Sequence, residues 1–80
     1  MTPEQLRDID ELVAGRLLQA RSDAGLTMVE AAKPLNISYQ QLSKYETCRN
    51  RPSVSRLAQM AALYEKDICW FIEDLPHVAG

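Results

Sequence analysis

The chain has two cysteines, Cys48 and Cys69, far apart and without metal-ligand spacing, so neither a disulfide framework nor a metal cluster is expected. One histidine, His77, stands alone near the end, and a ligand or catalytic role for it is not expected. Only three glycines occur, and no phosphate-cradling glycine loop is among them. No apolar run approaches the ~18 residues that cross a bilayer. The opening MTPEQLRDIDE is acidic ahead of any apolar stretch, which argues against a signal peptide. A nucleophile–base pair is missing too, and 80 residues support one small core with little room for a pocket. These absences exclude most enzyme chemistry. No metal, cofactor, membrane or small-molecule ligand is expected. There are no repeats, low-complexity runs or linkers. Residues 1–80 are expected to form one cytoplasmic domain with free thiols.

A net charge of −2 and a pI near 5.2 speak mildly against a polyanionic partner. The distribution matters more than the sum. Met1 to Glu11 carries Glu4, Asp8, Asp10 and Glu11 against Arg7 alone, while residues 33–56 carry Lys33, Lys44, Arg49, Arg51 and Arg56 against Glu46 alone.

The chain reads as all-α with five helices. Thr2-Pro3-Glu4-Gln5 is a helix start, with a hydroxyl cap, proline at the first position and Gln three residues after the cap. Leu6, Ile9, Val13, Leu17, Ala20 and Ala24 follow at steps of three and four, one apolar face running to Gly25. Gly15 permits a break within that helix. The second helix spans Met28 to about Lys33, with Pro34 expected to distort its last turn. The third spans Tyr39 to about Thr47, with Leu42 and Tyr45 inward. After a loop at Cys48–Pro52, Ser53 caps a fourth helix that buries Leu57, Met60, Ala61 and Tyr64. Asp67 caps a fifth, expected to turn Ile68, Phe71 and Ile72 inward, and residues 75–80 read as a tail.

The segment TMVEAAKPLNISYQQLSKYE, Thr27 to Glu46, is the most informative. Thr27 with Glu30 has the capping-box spacing, and Ser38 with Gln41 repeats it. Between them Leu35-Asn36-Ile37 makes a tight turn, since Asn tolerates a left-handed backbone. Two short helices joined this way present the second outward, in the manner of a major-groove reader.

The ordered set Gly15-Arg16-Leu17, Arg21, Gly25-Leu26-Thr27, Ala32, Ile37-Ser38, Leu42, Lys44-Tyr45-Glu46, Asn50-Arg51-Pro52-Ser53, Leu57 and Trp70-Phe71 resembles the Cro/lambda-repressor (XRE) helix-turn-helix family. The resemblance covers about residues 15–72, with residues 3–14 as an N-terminal helical extension. It implies a compact five-helix lambda-repressor-like domain whose third helix contacts bases through Tyr39, Gln40, Ser43 and Lys44. Their chemistry agrees: Gln pairs with adenine, Lys donates to guanine or phosphate, and a Tyr ring packs on a thymine methyl. Thr27, Met28, Thr47, Arg49, Asn50 and Arg51 are placed along the sugar-phosphate backbone, and Arg21 with Glu46 as a buried ion pair. Lys33 and Arg56 are either phosphate contacts or ordinary surface cations.

The implied function is a double-stranded DNA-binding transcriptional regulator, a repressor acting as a homodimer on a palindromic operator. Candidate dimer-interface residues are Cys69, Trp70, Ile72 and Leu75 to Val78, although Trp70 equally suits the core. The stretch after Phe71 is too short for a sensor domain, so control is expected from concentration, a partner protein or competition for DNA. The alternative is a protein-interaction module on the same fold, such as an anti-activator, adaptor or antitoxin. Four positions depart from the family pattern. Met28 cannot donate the hydrogen bond of the usual Gln, Cys48 replaces a glycine at a helix end, Ala31 replaces Leu, and Lys66 replaces an apolar residue. Cys48 reads either as an incidental small residue or as a low-pKa thiol beside cations.

Overall fold

In a computed structural model, which describes residues 1–75, every regular element is helical. They are α1 (Pro3–Asp23), α2 (Met28–Leu35), α3 (Tyr39–Glu46), α4 (Val54–Leu63) and a 3₁₀ turn (Ile68–Phe71). The all-α class holds, but the fifth helix is one turn of 3₁₀ rather than α.

All five starts carry a side-chain cap. Thr2, Thr27, Ser38 and Ser53 accept from the amide three residues on, and Asp67 accepts from the amide of Cys69. The box is reciprocal at Thr2 and Thr27. At Ser38 only half of it forms, because the Gln41 side chain instead accepts from Asn50 Nδ2 at 3.5 Å.

All four α-helices end alike. Gly25, Asn36, Cys48 and Glu65 each take a left-handed backbone, with φ of 71°, 56°, 62° and 57°. In each, that residue's amide bonds three residues back and the next amide bonds five back: Gly25 to Ser22 and Leu26 to Arg21, Asn36 to Lys33 and Ile37 to Ala32, Cys48 to Tyr45 and Arg49 to Lys44, Glu65 to Ala62 and Lys66 to Ala61. This double closure satisfies the carbonyls that a helix end leaves unpaired. It makes each connection short and directs each following helix.

Two sequence expectations about helix continuity resolve the same way. α1 is unbroken through Gly15, and α2 continues through Pro34 to Leu35. Proline costs α2 one donor near its end, yet the Asn36 closure still holds the final carbonyls.

The core joins Leu17 and Ala20 of α1, Ala31, Ala32 and Leu35 of α2, Leu42 of α3, Met60 and Ala61 of α4, then Tyr64 and Phe71. The small residues of α2 let it lie close to its neighbours. Ile68 and Ile72 point outward, 38% and 41% exposed, whereas Phe71 is fully buried. Their predicted inward face assumed a regular helix through Ile72. The turn ends at Phe71, with Ile72 already its C-cap, and of the three side chains only Phe71 is buried. The start of α1 likewise lacks a covering layer, and Leu6 is exposed although it lies on the predicted apolar face.

The final turn is tied down from two sides. Arg16 donates to the Trp70 carbonyl at 2.5 Å and pairs with Asp74 at 2.6 Å. Arg16 and Lys66 both stack over the Trp70 ring, at 4.8 and 4.5 Å, and Lys66 also meets Asp23 at 3.1 Å. Lys66, a departure from the apolar family pattern, sets its ammonium between the tryptophan ring and the Asp23 carboxylate.

Candidate nucleic-acid interface

α2, the Asn36 turn and α3 form the helix-turn-helix. Leu35, Leu42 and Glu46 hold the inner face while the outer face of α3 stands free. Tyr39, Gln40 and Lys44 are exposed and Ser43 is half-buried, so the four predicted base-reading positions share one accessible side. This follows from spacing: 39 with 43, and 40 with 44, lie one turn apart, on a strip beside that of Leu42 and Glu46.

The loop after α3 continues that surface. Thr47, Arg49, Asn50 and Arg51 are all exposed. The Lys44 carbonyl accepts from the amides of both Arg49 (2.9 Å) and Asn50 (3.2 Å), and Thr47 Oγ1 donates to the Ser43 carbonyl at 2.7 Å. The backbone is therefore shaped while the two guanidinium groups extend from it.

At the other end of the motif, Thr27 is exposed but Met28 is half-buried and packed against the core. Only the Met28 amide, not its side chain, is placed to meet an anion. The Thr27 amide donates to the Glu30 carboxylate at 2.9 Å, and this bond, with the Thr27 hydroxyl adding, holds the carboxyl below the usual range. A fixed carboxylate thus already occupies part of this helix start. Of the two undecided cations, Arg56 donates to the Leu35 carbonyl and to Gln59, each at 2.7 Å, and so braces α4 against the end of α2. Lys33 is exposed.

Arg21 and Glu46 meet in a two-pronged pair, Nε to Oε2 at 2.7 Å and Nη2 to Oε1 at 2.9 Å, with Arg21 Nη1 reaching the Leu26 carbonyl at 2.9 Å. The Glu46 side chain is 2% exposed. The hydrogen bond to Glu46 raises the guanidinium above its ordinary pKa against the opposing pull of burial. The pair fixes the last turn of α3 to α1. Tyr64 lies nearby, its hydroxyl buried with no partner among the described residues, and desolvation, with Glu46 adding, pushes it up to about 12.

Cys48 is exposed, but burial of the thiol, with Asp10 and Glu11 adding to it, raises its pKa against the weaker pull of Arg51. The low-pKa reading is therefore not supported: desolvation first, and the acids of α1 after it, outweigh the cation. The incidental reading remains, and it carries a backbone cost, since φ of 62° disfavours a side chain. Cys48→Gly is expected to raise stability by about 0.5–1 kcal/mol, the left-handed penalty less the chain entropy that glycine adds. The urea midpoint measures it, and no rise would mean that Cys48 is not strained.

Among the predicted dimer-interface residues, Cys69 and Ile72 are exposed and Trp70 is half-buried, packed edge-to-face on Phe71. Leu75 corrects that expectation: at 7% exposure it completes this chain's own core. Val78 and His77 lie outside the described residues. Sequence reasoning also missed the ion pair of Arg51 with Asp10 (3.2 Å) and the Arg16 clamp, which join residues too distant for any local pattern.

Two capped helices across a left-handed turn, with a polar outer face and a basic loop after it, define a helix-turn-helix unit. The chain belongs to that family: residues 12–67 match the family described as "Helix-turn-helix domain". It is 33% identical over 70 residues to an uncharacterised HTH-type transcriptional regulator of Rickettsia conorii, covering 88% of this chain and 56% of that protein. It is 36% identical over 70 residues to an uncharacterised transcriptional regulator in the ATPase CF(0) region of Rhodospirillum rubrum, covering 88% and 65%. Over 49 residues it is 43% identical to the HTH-type transcriptional regulator ImmR of Bacillus subtilis, covering 61% and 39%. The chain spans about half the length of the first of these relatives. No solved structure matches it. No helix among the described residues is long and apolar enough to cross a membrane.

Proposed function

We propose that the chain is a sequence-specific double-stranded DNA-binding transcriptional regulator, a cytoplasmic repressor that binds a palindromic operator as a homodimer, with all 80 residues acting as one DNA-binding unit. What carries the reading is the exposed row from Gln40 and Lys44 of α3 into Arg49 and Arg51 of the following loop. It joins a base-reading side chain to phosphate-reading ones on one face. In this reading Tyr39, Gln40, Ser43 and Lys44 touch bases. Thr47, Arg49, Asn50 and Arg51, with Thr27 and the Met28 amide, follow the backbone. One recognition helix reads few base pairs, so two copies on a twofold axis would take half-sites about 34 Å apart. Cys69, Trp70 and Ile72 are the interface candidates that remain at the surface.

A gel shift with the DNA upstream of its own gene tests this. Gln40→Ala is expected to lose about 1–3 kcal/mol of discrimination against changed bases. Arg49→Ala is expected to weaken all sequences alike and flatten the salt slope by about 0.9 per copy. A folded protein that shifts no DNA even at low salt would overturn the proposal. The second reading, a module that binds a protein on this same fold, draws on the inward Met28 side chain and the net charge of −2. It predicts binding that salt barely changes.

A further inference from the structure

The acidic start of α1 lies against the loop that follows α3. Between them runs an open groove of about 940 Å³, with Leu6, Asp10 and Glu11 on one wall and Cys48, Arg49 and Arg51 on the other. Asp10 Oδ2 and Arg51 Nε form an ion pair at 3.2 Å across this groove. The Asp10 side chain is 28% exposed and that of Arg51 81%, so the carboxylate is partly sheltered while most of the guanidinium side chain stands in solvent. The influence of these acids on the loop is not limited to Arg51: Asp10 and Glu11 both push the Cys48 thiol upward. The chain thus supplies its own anion where the proposed phosphate contact would form.

We propose that the α1 extension is an internal electrostatic brake: Asp10 occupies Arg51 as an intramolecular counter-ion and so lowers the chain's affinity for DNA. The proposal rests on the DNA-binding reading above. A phosphate approaching Arg51 must displace Asp10 or share the guanidinium with it, and Glu11 on the same wall adds a like charge. Because Arg51 is already paired with a carboxylate at Nε, its contact with DNA gains less than an unpaired arginine's would. Counterion release from that phosphate is offset by exposing Asp10 again. The acidic first helix and the basic loop, segregated in sequence, are partly cancelled in space. The net charge of −2 therefore has a local consequence at the interface.

The test uses the full chain, Asp10→Asn, Arg51→Ala and the double variant, with fluorescence anisotropy on a labelled duplex of arbitrary sequence. Salt is varied between about 50 and 200 mM, where phosphate contacts dominate affinity. Asp10→Asn is expected to bind about two- to fivefold tighter, the worth of an exposed ion pair, with a salt slope steeper by about 0.9 per copy, the value of one added phosphate contact. That gain should vanish in the Arg51→Ala background. Circular dichroism melts confirm that each variant is folded. Unchanged or weaker binding by Asp10→Asn, beside a parent chain that binds, would sink the brake and leave the regulator reading intact. A gain that persists without Arg51 would also sink it, since the pair would not be its source. If neither parent nor variants bind at the lowest salt while folded, the DNA reading falls and the brake with it.

Discussion

Arg21→Ala is expected to destabilise the chain by about 3–5 kcal/mol, because it strands a buried carboxylate. For a domain of this size that corresponds to a fall in Tm of roughly 15–30 °C. Total stabilities of small domains are about 5–15 kcal/mol, so the variant would be partly unfolded near physiological temperature. The cause lies mainly with Glu46, whose side chain is 2% exposed against 16% for Arg21. The native pair repays much of the cost of desolvating it with two short parallel bonds, 2.7 and 2.9 Å. Replacing both partners by apolar residues, Arg21→Met with Glu46→Leu, should cost far less than Arg21→Ala alone. Arg21→Lys should not restore stability, since an ammonium cannot donate the fork that also reaches Leu26. Thermal and urea melts of the single and double variants decide this. A loss below about 1 kcal/mol for Arg21→Ala would place the pair among ordinary surface contacts. The pair's role is then one of orientation. It holds the end of α3 to α1, and so aims the surface that Gln40 and Lys44 present.

How much of this was legible depended on the reach of each interaction. The five helix starts at Thr2, Thr27, Ser38, Ser53 and Asp67 could be read because a cap is a bond between a side chain and an amide two or three residues away. Two of the four helix ends, Gly25 and Asn36, were legible for a related reason: both residue types tolerate the left-handed backbone. Cys48 and Glu65 take the same conformation against their preference. There the same pair of closing bonds, from Cys48 and Arg49 and from Glu65 and Lys66, holds the turn without a residue suited to it. Arg21 and Glu46, 25 positions apart, were joined only through the family resemblance. The clamps of Arg16 on Trp70 and Asp74, 54 and 58 positions away, carry no local signal at all. The candidate interface divides in the same way. The row 39, 40, 43 and 44 follows from helical spacing, whereas the Asp10–Arg51 pair required the fold.

The 3₁₀ turn makes a sharper test, since its sequence suggested an amphipathic helix and its structure rests on one ring. Phe71→Ala is expected to cost about 3–5 kcal/mol, the usual range for emptying a fully buried aromatic site. Phe71 joins the core with Leu17 and Met60, and Trp70 packs on its edge with ring centres 5.1 Å apart. Its loss would leave a cavity and also loosen the ring over which Arg16 and Lys66 stack. Ile68→Ala and Ile72→Ala, at exposed positions, should each cost no more than about 0.5 kcal/mol. A regular α-helix burying all three would instead give losses of about 2–5 kcal/mol for each isoleucine. Protein concentration adds a second axis to the same melts. If Ile72 lies in the proposed homodimer interface, Ile72→Ala should lower Tm most at concentrations where the parent is dimeric and little where it is monomeric. Phe71→Ala should lower it equally at both, because the ring belongs to the chain's own core. Concentration-independent Ile72→Ala melts, from a parent that remains dimeric, would remove Ile72 from the interface and leave Cys69 or Trp70 to form it.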